Sequence, residues 1–326
     1  MQILDGMFQF KVPIPNNPVG YVMPYAFQVP GGISIIDPGW DAPESVDSLE
    51  GQLKDIGASF TDLKQIIVTH VHPDHYGMAN RLRELSGAEV LVHEDDINNR
   101  PWTAGIDLDA WFARHGYPAS APRMDPNRQG WQQRMTSQRG PDTLMHDGET
   151  LKVGAFELRV IWTPGHSPGH ACFYMERELL LLSGDHVLPT ISPNVGLWPG
   201  SDADPLGDYI RSLKLLRGLP VKHVYPAHEY DFADLEARLD ELEVHHDERL
   251  GEVIGAMTAG ATTCFEIARG VKWSIGHFDK FDWGTKRAAM SETLSHLRHL
   301  NREGRVALRE VDDIDHWTPT GRSIDS

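Results

Sequence analysis

Four groups of cation-binding residue types occur in the chain, each directly after an apolar run. The first is His70, His72, Asp74 and His75, which follows the apolar stretch at 65–69. Histidines at i and i+2 on an extended segment project to the same side, and Asp74 and His75 fall where the chain turns into the next helix. Imidazole nitrogen and carboxylate oxygen both suit zinc, and four such groups within six residues read as a metal motif rather than as solvated loop residues. The second group is Thr163-Pro164-Gly165-His166-Ser167-Pro168-Gly169-His170, in which Gly165 and Gly169 let the backbone approach a site closely. The third is Ser183-Gly184-Asp185-His186, and the fourth is Tyr225-Pro226-Ala227-His228-Glu229. Strand ends in an α/β fold gather at one edge of the sheet, so ligands that each follow a strand can converge there.

The elements that must position these groups are legible from hydrophobic periodicity. Strands are expected at 7–12, 19–29 and 32–37, the last ending in the turn Asp37-Pro38-Gly39. A helix is expected at about 43–57, with Asp41 and Glu44 as a capping box and Val46, Leu49, Leu53 and Ile56 on one face. A strand at 65–69, a helix at 76–86 and a strand at 88–92 continue the alternation of an α/β architecture. Further strands are expected at 155–163, 171–176, 178–183 and 222–225, with a helix at 205–217. Residues 94–142 carry five prolines and Trp102, Trp111 and Trp131 without a convincing strand, and read as a helical insertion that can serve as a lid. From residue 236 the pattern turns helical (236–258, 262–270, 285–303) and ends in a candidate β-wing at 305–311 and 315–318. The expected division is a domain over 1–235 and a winged-helix domain over 236–326.

Bulk properties narrow the partners. The chain has 326 residues and a formal net charge of −17, which disfavours polyanions such as nucleic acid and anionic membranes. Residues 241–326 hold 11 Lys plus Arg against 15 Asp plus Glu, a balance of −4, and Lys286, Arg287, Arg298 and Arg302 read as a solvated helix face. Cys172 and Cys264 are too few for a disulfide framework and read as buried free thiols, which fits a cytoplasmic compartment. No signal-peptide pattern and no apolar run of about 18 residues is present, so a soluble, unexported protein is expected.

Taken in order, H-x-H-x-D-H, T-P-G-H-S-P-G-H, S-G-D and P-A-H resemble the metallo-β-lactamase superfamily, with a glyoxalase II-like metal motif, over about residues 1–235. The resemblance implies an αββα sandwich carrying two Zn2+ ions at one edge, although Mn2+ or Fe2+ would suit the same ligands. It places His70, His72 and His166 on one ion and Asp74, His75 and His228 on the other, with Asp185 bridging both beside a water or hydroxide. Asp74 or Asp185 would orient that nucleophile. Asp37 matches a turn that supports the site, and His170 and His186 are candidates for hydrogen-bonding behind the ligands. The remaining histidines fit no ligand motif and read as surface or capping residues.

Two departures are visible: P-A-H-E replaces P-G-H-G, and no cysteine stands at position 185. His72 occupies a position where redox di-iron relatives carry glutamate, which points to hydrolysis. The C-terminal motifs, among them His245-His246-Asp247-Glu248-Arg249-Leu250 and Glu292-Thr293-Leu294-Ser295-His296-Leu297, resemble the winged-helix tail of a subgroup. That subgroup includes a β-lactamase-like endoribonuclease and related bacterial hydrolases. The expected activity is hydrolysis of a small ester, thioester or lactone. Single-strand RNA cleavage is the alternative, and β-lactamase activity or a DNA-binding sensor ranks below both. The expected partner is a small acyl molecule, with no membrane partner and a homodimer admitted.

Overall fold

The computed structural model describes residues 1–98, 106–123, 139–201 and 203–321. Its strands, numbered in chain order, form two main sheets. The first sheet has seven strands in the order β1-β2-β5-β6-β7-β8-β9. These are β1 Gln2–Leu4, β2 Met7–Gln9, β5 Tyr25–Val29, β6 Gly32–Ile36, β7 Leu63–Ile67, β8 Glu89–His93 and β9 Thr143–Met145. The second sheet runs in sequence order through β10 Thr150–Val153, β11 Phe156–Trp162, β12 Ala171–Met175, β13 Leu180–Gly184 and β14 His223–Pro226. A two-stranded pair, β3 Val12–Pro13 with β4 Tyr21–Val22, stands apart from both.

Register explains how the ligand-bearing loops meet. Strands β6, β7, β8 and β9 are parallel to one another, so the chain leaves them at one edge. In the second sheet β13 and β14 are parallel, and β11 reaches the same sense through two antiparallel steps. The backbone also links the sheets at that edge, where Ala171 N–H donates to the Thr69 carbonyl at 2.9 Å. Phe27, Ile36 and Ile67 from one sheet and Val160, Phe173 and Leu182 from the other lie in a single buried cluster. Burying two apolar sheet faces against each other is what stabilises such layers.

Several expectations are corrected. The stretch at 19–29 is interrupted between Val22 and Tyr25, and β1, β9 and β10 lack the periodicity that would have revealed them. The helix Pro43–Asp55 has Ala42 at its cap with no side-chain capping bond. Asp41 instead accepts from Arg81 Nε at 2.7 Å, so the expected capping box does not form. The helix expected over 76–86 is two helices, Pro73–Tyr76 and Ala79–Ser86. Much of the expected insertion, including Trp102 and Trp131, lies outside the described residues; the described part holds helices Asp95–Asn98 and Leu108–Arg114.

Contacts divide the chain into two compact units that do not follow a single cut at residue 235. The first comprises Met1–Arg100, Gln138–Pro193 and Ser212–Leu239, and holds both main sheets. The second gathers Pro101–Ser137, Asn194–Arg211 and Asp240–Ser326. Within this second unit, helix Trp283–Arg302 and the hairpin Val306–Val311 with Ile314–Pro319 join the described part of the insertion. Arg114 Nε bonds both oxygens of Asp315 at 3.2 Å, and Arg287 Nη2 donates to the Pro122 carbonyl at 2.6 Å. Lys286 and Arg287 are therefore not a solvated face. Both are buried, with the Lys286 ammonium 4.4 Å from the Trp283 ring and the Arg287 guanidinium 4.9 Å from that of Tyr117. Among the described residues no helix is long and apolar enough to cross a membrane.

Candidate metal centre

Each group of candidate ligands leaves the end of a strand in the first unit. His70 and His72 follow β7, and Pro73 opens the short helix that puts Asp74 and His75 in its first turn. His166 lies in the loop from β11 to β12, Asp185 follows β13, and His228 follows β14. At that edge their side chains form two clusters. In the first, His70 Nε2, His72 Nδ1 and His166 Nε2 lie 2.9, 3.0 and 3.2 Å from one another. In the second, His228 Nε2 stands 3.5 Å from Asp74 Oδ2, and His75 Nε2 stands 3.9 Å from the same oxygen.

Asp185 joins the two. Its Oδ1 is 3.4 Å from His75 Nε2 and 3.3 Å from His228 Nε2, while its Oδ2 is 3.5 Å from His166 Nε2. One carboxylate thus offers one oxygen to each cluster.

The donor set fits divalent cations. Tetrahedral zinc with Zn–N near 2.0–2.1 Å places neighbouring nitrogens roughly 3.3 Å apart. Protons alone satisfy only part of three mutually facing imidazole nitrogens, whereas one cation satisfies all of them. In the second cluster, His75 Nε2 and Asp185 Oδ1 are buried with no hydrogen-bond partner among the described residues. Buried polar atoms are ordinarily paired, so these two atoms fit contact with a cation.

The outer faces of the ligands are held by hydrogen bonds that fix their tautomers. Asp37, in the left-handed region at φ 52°, accepts from His75 Nδ1 at 2.9 Å and from the Thr69 hydroxyl and N–H at 2.8 Å each. His228 Nδ1 donates to the Tyr21 carbonyl at 2.8 Å, which leaves Nε2 with its lone pair toward the centre. His170 Nε2 accepts the Asp185 N–H at 3.1 Å, and its Nδ1 pairs with the Thr163 hydroxyl at 2.8 Å. A Cβ at Gly184 would stand 2.6 Å from that Nε2, and the backbone there has φ 52°, so glycine is required. His186 stands at one remove, its ring centroid 5.9 Å from that of His170.

Electrostatics separate the clusters. Burial, reinforced by neighbouring imidazoles, holds His70 well below the ordinary histidine range and takes His72 to about 3. Burial likewise holds His170 low and takes His186 to about 3. His75 is also buried, but the Asp185, Asp37 and Asp74 carboxylates outweigh that effect and raise it well above its usual value. His228 is raised as well, chiefly by Asp185 against the pull of burial. Burial opposes the charge on Asp185, yet His228 and His75 keep its carboxyl well below the usual range.

Residues 18–228 match the profile of the Metallo-beta-lactamase superfamily. This chain belongs to that superfamily. Its fold is similar to that of a metallo-beta-lactamase family protein from Thermus thermophilus, with a TM-score of 0.83 and 32% identity. That likeness covers 97% of this chain and 99% of the other. The chain is 24% identical over 311 residues to the probable metallo-hydrolase YqjP of Bacillus subtilis (strain 168), covering 92% of this chain and 93% of that protein. It is 27% identical over 191 residues to an atrochrysone carboxyl ACP thioesterase of Cryptosporiopsis sp. (strain 8999), covering 56% of this chain and 57% of that one. The chain spans about half the length, 54%, of the lactamase-like protein adaB from Aspergillus niger that it also matches.

Against the metallo-β-lactamase pattern, two residues of this centre escape a motif search. The first is Asp96, 1% exposed, in helix Asp95–Asn98 directly beyond β8. Its Oδ2 accepts the Val71 N–H, and its Oδ1 accepts the Gly169 N–H at 2.9 Å. It therefore ties together the two loops that carry His70, His72 and His166. The second is Thr69, whose hydroxyl also lies 3.0 Å from His70 Nδ1. An acidic pair at a strand end, in the same position as every named ligand group, was the available signal for Asp96.

The other histidines are less ordinary than surface or capping roles suggest. His93, His115, His246 and His296 are buried. In the second unit His115 faces Asp315 at 3.3 Å, and His246 Nδ1 lies 3.4 Å from His296 Nε2. Cys172 and Cys264 are free and buried, and burial pushes the Cys172 thiol up to about 12.

Proposed function

We propose that this superfamily member is a binuclear metal-dependent hydrolase acting on a small ester, thioester or lactone. The observation that supports the reading is the pair of ligand clusters sharing the Asp185 carboxylate. His70, His72 and His166 would hold one ion, Asp74, His75 and His228 the other, and Asp185 would reach both. Zinc suits the set, and Mn2+ or Fe2+ would also be accepted. When bound, two such ions would supply Lewis acidity toward a substrate carbonyl and would acidify a water toward a pKa of about 7.

The chain's own groups do the positioning. Asp37 and Tyr21 direct the ring nitrogens of His75 and His228 inward. The Asp74 side chain is 17% exposed and that of Asp185 10%, so Asp74 is the more open acceptor for a proton from an attacking water. His170, bound to the Asp185 N–H, holds the turn that sets that carboxylate between the clusters.

The acyl class is favoured by the thioesterase relative and by the net charge of −17, which suits a small substrate better than RNA. Phosphodiester cleavage needs a basic track, and burial of Lys286 and Arg287 removes half of the basic cluster that could have supplied one. We read the C-terminal helices and hairpin as a winged-helix-type packing module. A panel of aryl esters, acyl thioesters, homoserine lactones, a chromogenic cephalosporin, an aryl phosphodiester and labelled RNA tests the assignment on metal-loaded protein. Turnover of an ester, thioester or lactone is expected. Cleavage of RNA alone would replace this reading with the nuclease.

Proton competition gives a second expectation. A histidine with a raised pKa takes its proton at higher pH, and protons displace metals from imidazole. In the metal-free centre His75 and His228 hold a proton more readily than His70 and His72 do. Metal content measured across an acid series should therefore fall as the ligand imidazoles take up protons. A metal content that stays constant throughout the series would contradict ligation by these imidazoles.

A further inference from the structure

We propose that Glu229 is a positioning residue that builds an acyl-chain lip beside the metal centre, with Ile191 and Tyr230 as its apolar contacts. The proposal rests on the acyl-hydrolase reading above. Glu229 directly follows His228 and has φ 68°, a conformation that residues other than glycine rarely adopt. A glycine would take this backbone without strain but would leave the partners of the carboxylate unpaired.

Those partners lie on the segment that continues from Asp185. The Glu229 carboxylate accepts the Thr190 N–H at 3.0 Å, the Ile191 N–H at 3.2 Å and the Thr190 hydroxyl. From the other side, Arg238 donates through Nε to the Leu188 carbonyl at 2.7 Å and through Nη2 to the Ile191 carbonyl at 2.9 Å. Residues 188–191 belong to no helix or strand. Side chains from beyond β14 thus satisfy their backbone donors and acceptors. The Glu229 carbonyl in turn accepts the Tyr21 hydroxyl at 2.7 Å, and the Tyr21 carbonyl accepts from His228 Nδ1. One anchor therefore fixes a candidate metal ligand and the chain that follows Asp185.

This anchor carries two exposed apolar side chains. Ile191 is 41% exposed and Tyr230 is 53% exposed. Scattered surface apolar residues need no explanation. These two flank one carboxylate, the first through its own N–H and the second as the next residue in the chain. An acyl group with its carbonyl at the centre would lay its methylenes against them, and each methylene removed from water adds affinity.

The test uses metal-loaded enzyme and an aryl ester series from acetyl to dodecanoyl, read as the ratio of long-chain to short-chain kcat/KM. Wild type is expected to prefer the longer chains. Ile191→Ser and Tyr230→Ser should each lower the ratio about tenfold, mainly through KM. Glu229→Ala should lower it similarly with metal content retained, and Glu229→Gln should lower it less, because its amide oxygen still accepts from the backbone. A ratio unchanged within about twofold in both serine variants, or a wild type without chain-length preference, would overturn the proposal. Should Glu229→Ala fail to fold, the two exposed-residue variants still decide. A wild type that turns over no ester, thioester or lactone of any length would instead sink the acyl reading itself.

Discussion

Asp185→Asn is expected to lower kcat/KM on the best acyl substrate by about three orders of magnitude, on the order of 4 kcal/mol of barrier, and to reduce bound metal. The substitution preserves shape and removes charge at the group that faces both clusters. Oδ1 and Oδ2 each lie within 3.5 Å of imidazole nitrogens from different loops. An amide offers one oxygen and turns N–H donors toward the other cluster, where a cation would stand. The carboxylate also raises the pKa of His75 and His228, so its loss should bring both down. Kinetics, elemental analysis and a thermal melt on the same preparation separate lost chemistry from lost fold. Activity within about tenfold of wild type, with metal content unchanged, would remove Asp185 from the centre.

The second large effect is expected at Asp96, which makes no contact with a ligand side chain in its two backbone bonds. Asp96→Ala leaves the buried N–H groups of Val71 and Gly169 without their acceptor. Each unsatisfied donor costs about 1–3 kcal/mol. The melting temperature should fall by on the order of 10 °C, and metal affinity by about 10- to 100-fold as the two loops loosen. Asp96→Asn keeps one acceptor oxygen and should lose roughly half as much. A melt within about 2 °C of wild type and unaltered metal affinity would show that the loops hold their positions without it.

The contrast between these residues shows what a single sequence discloses. His70, His72, Asp74 and His75 were legible because four ligand types crowd one strand end, where strand periodicity fixes their common direction. His166, Asp185 and His228 were legible because each follows its own apolar run. Asp96 was not, because its role is defined by backbone donors 25 and 73 residues away, and a backbone N–H leaves no trace in residue types. Glu229 stood out only as a departure; its purpose depends on Thr190 and Ile191, nearly 40 residues earlier. Lys286 and Arg287 were misread for a related reason. Helix charge patterning implies solvent, but Lys286 lies against Trp283 one turn earlier in its own helix, and the Tyr117 ring against Arg287 is supplied by tertiary packing. The grouping of the insertion with the C-terminal segment rests on pairs such as Arg114 with Asp315, which periodicity does not reveal.

The most direct test of the central claim is metal content. The protein should be purified without chelator, resupplied with zinc, freed of excess ion and measured by elemental analysis. Two ligand clusters joined by Asp185 predict about two ions per chain. A folded chain that retains no metal after this treatment would contradict the account.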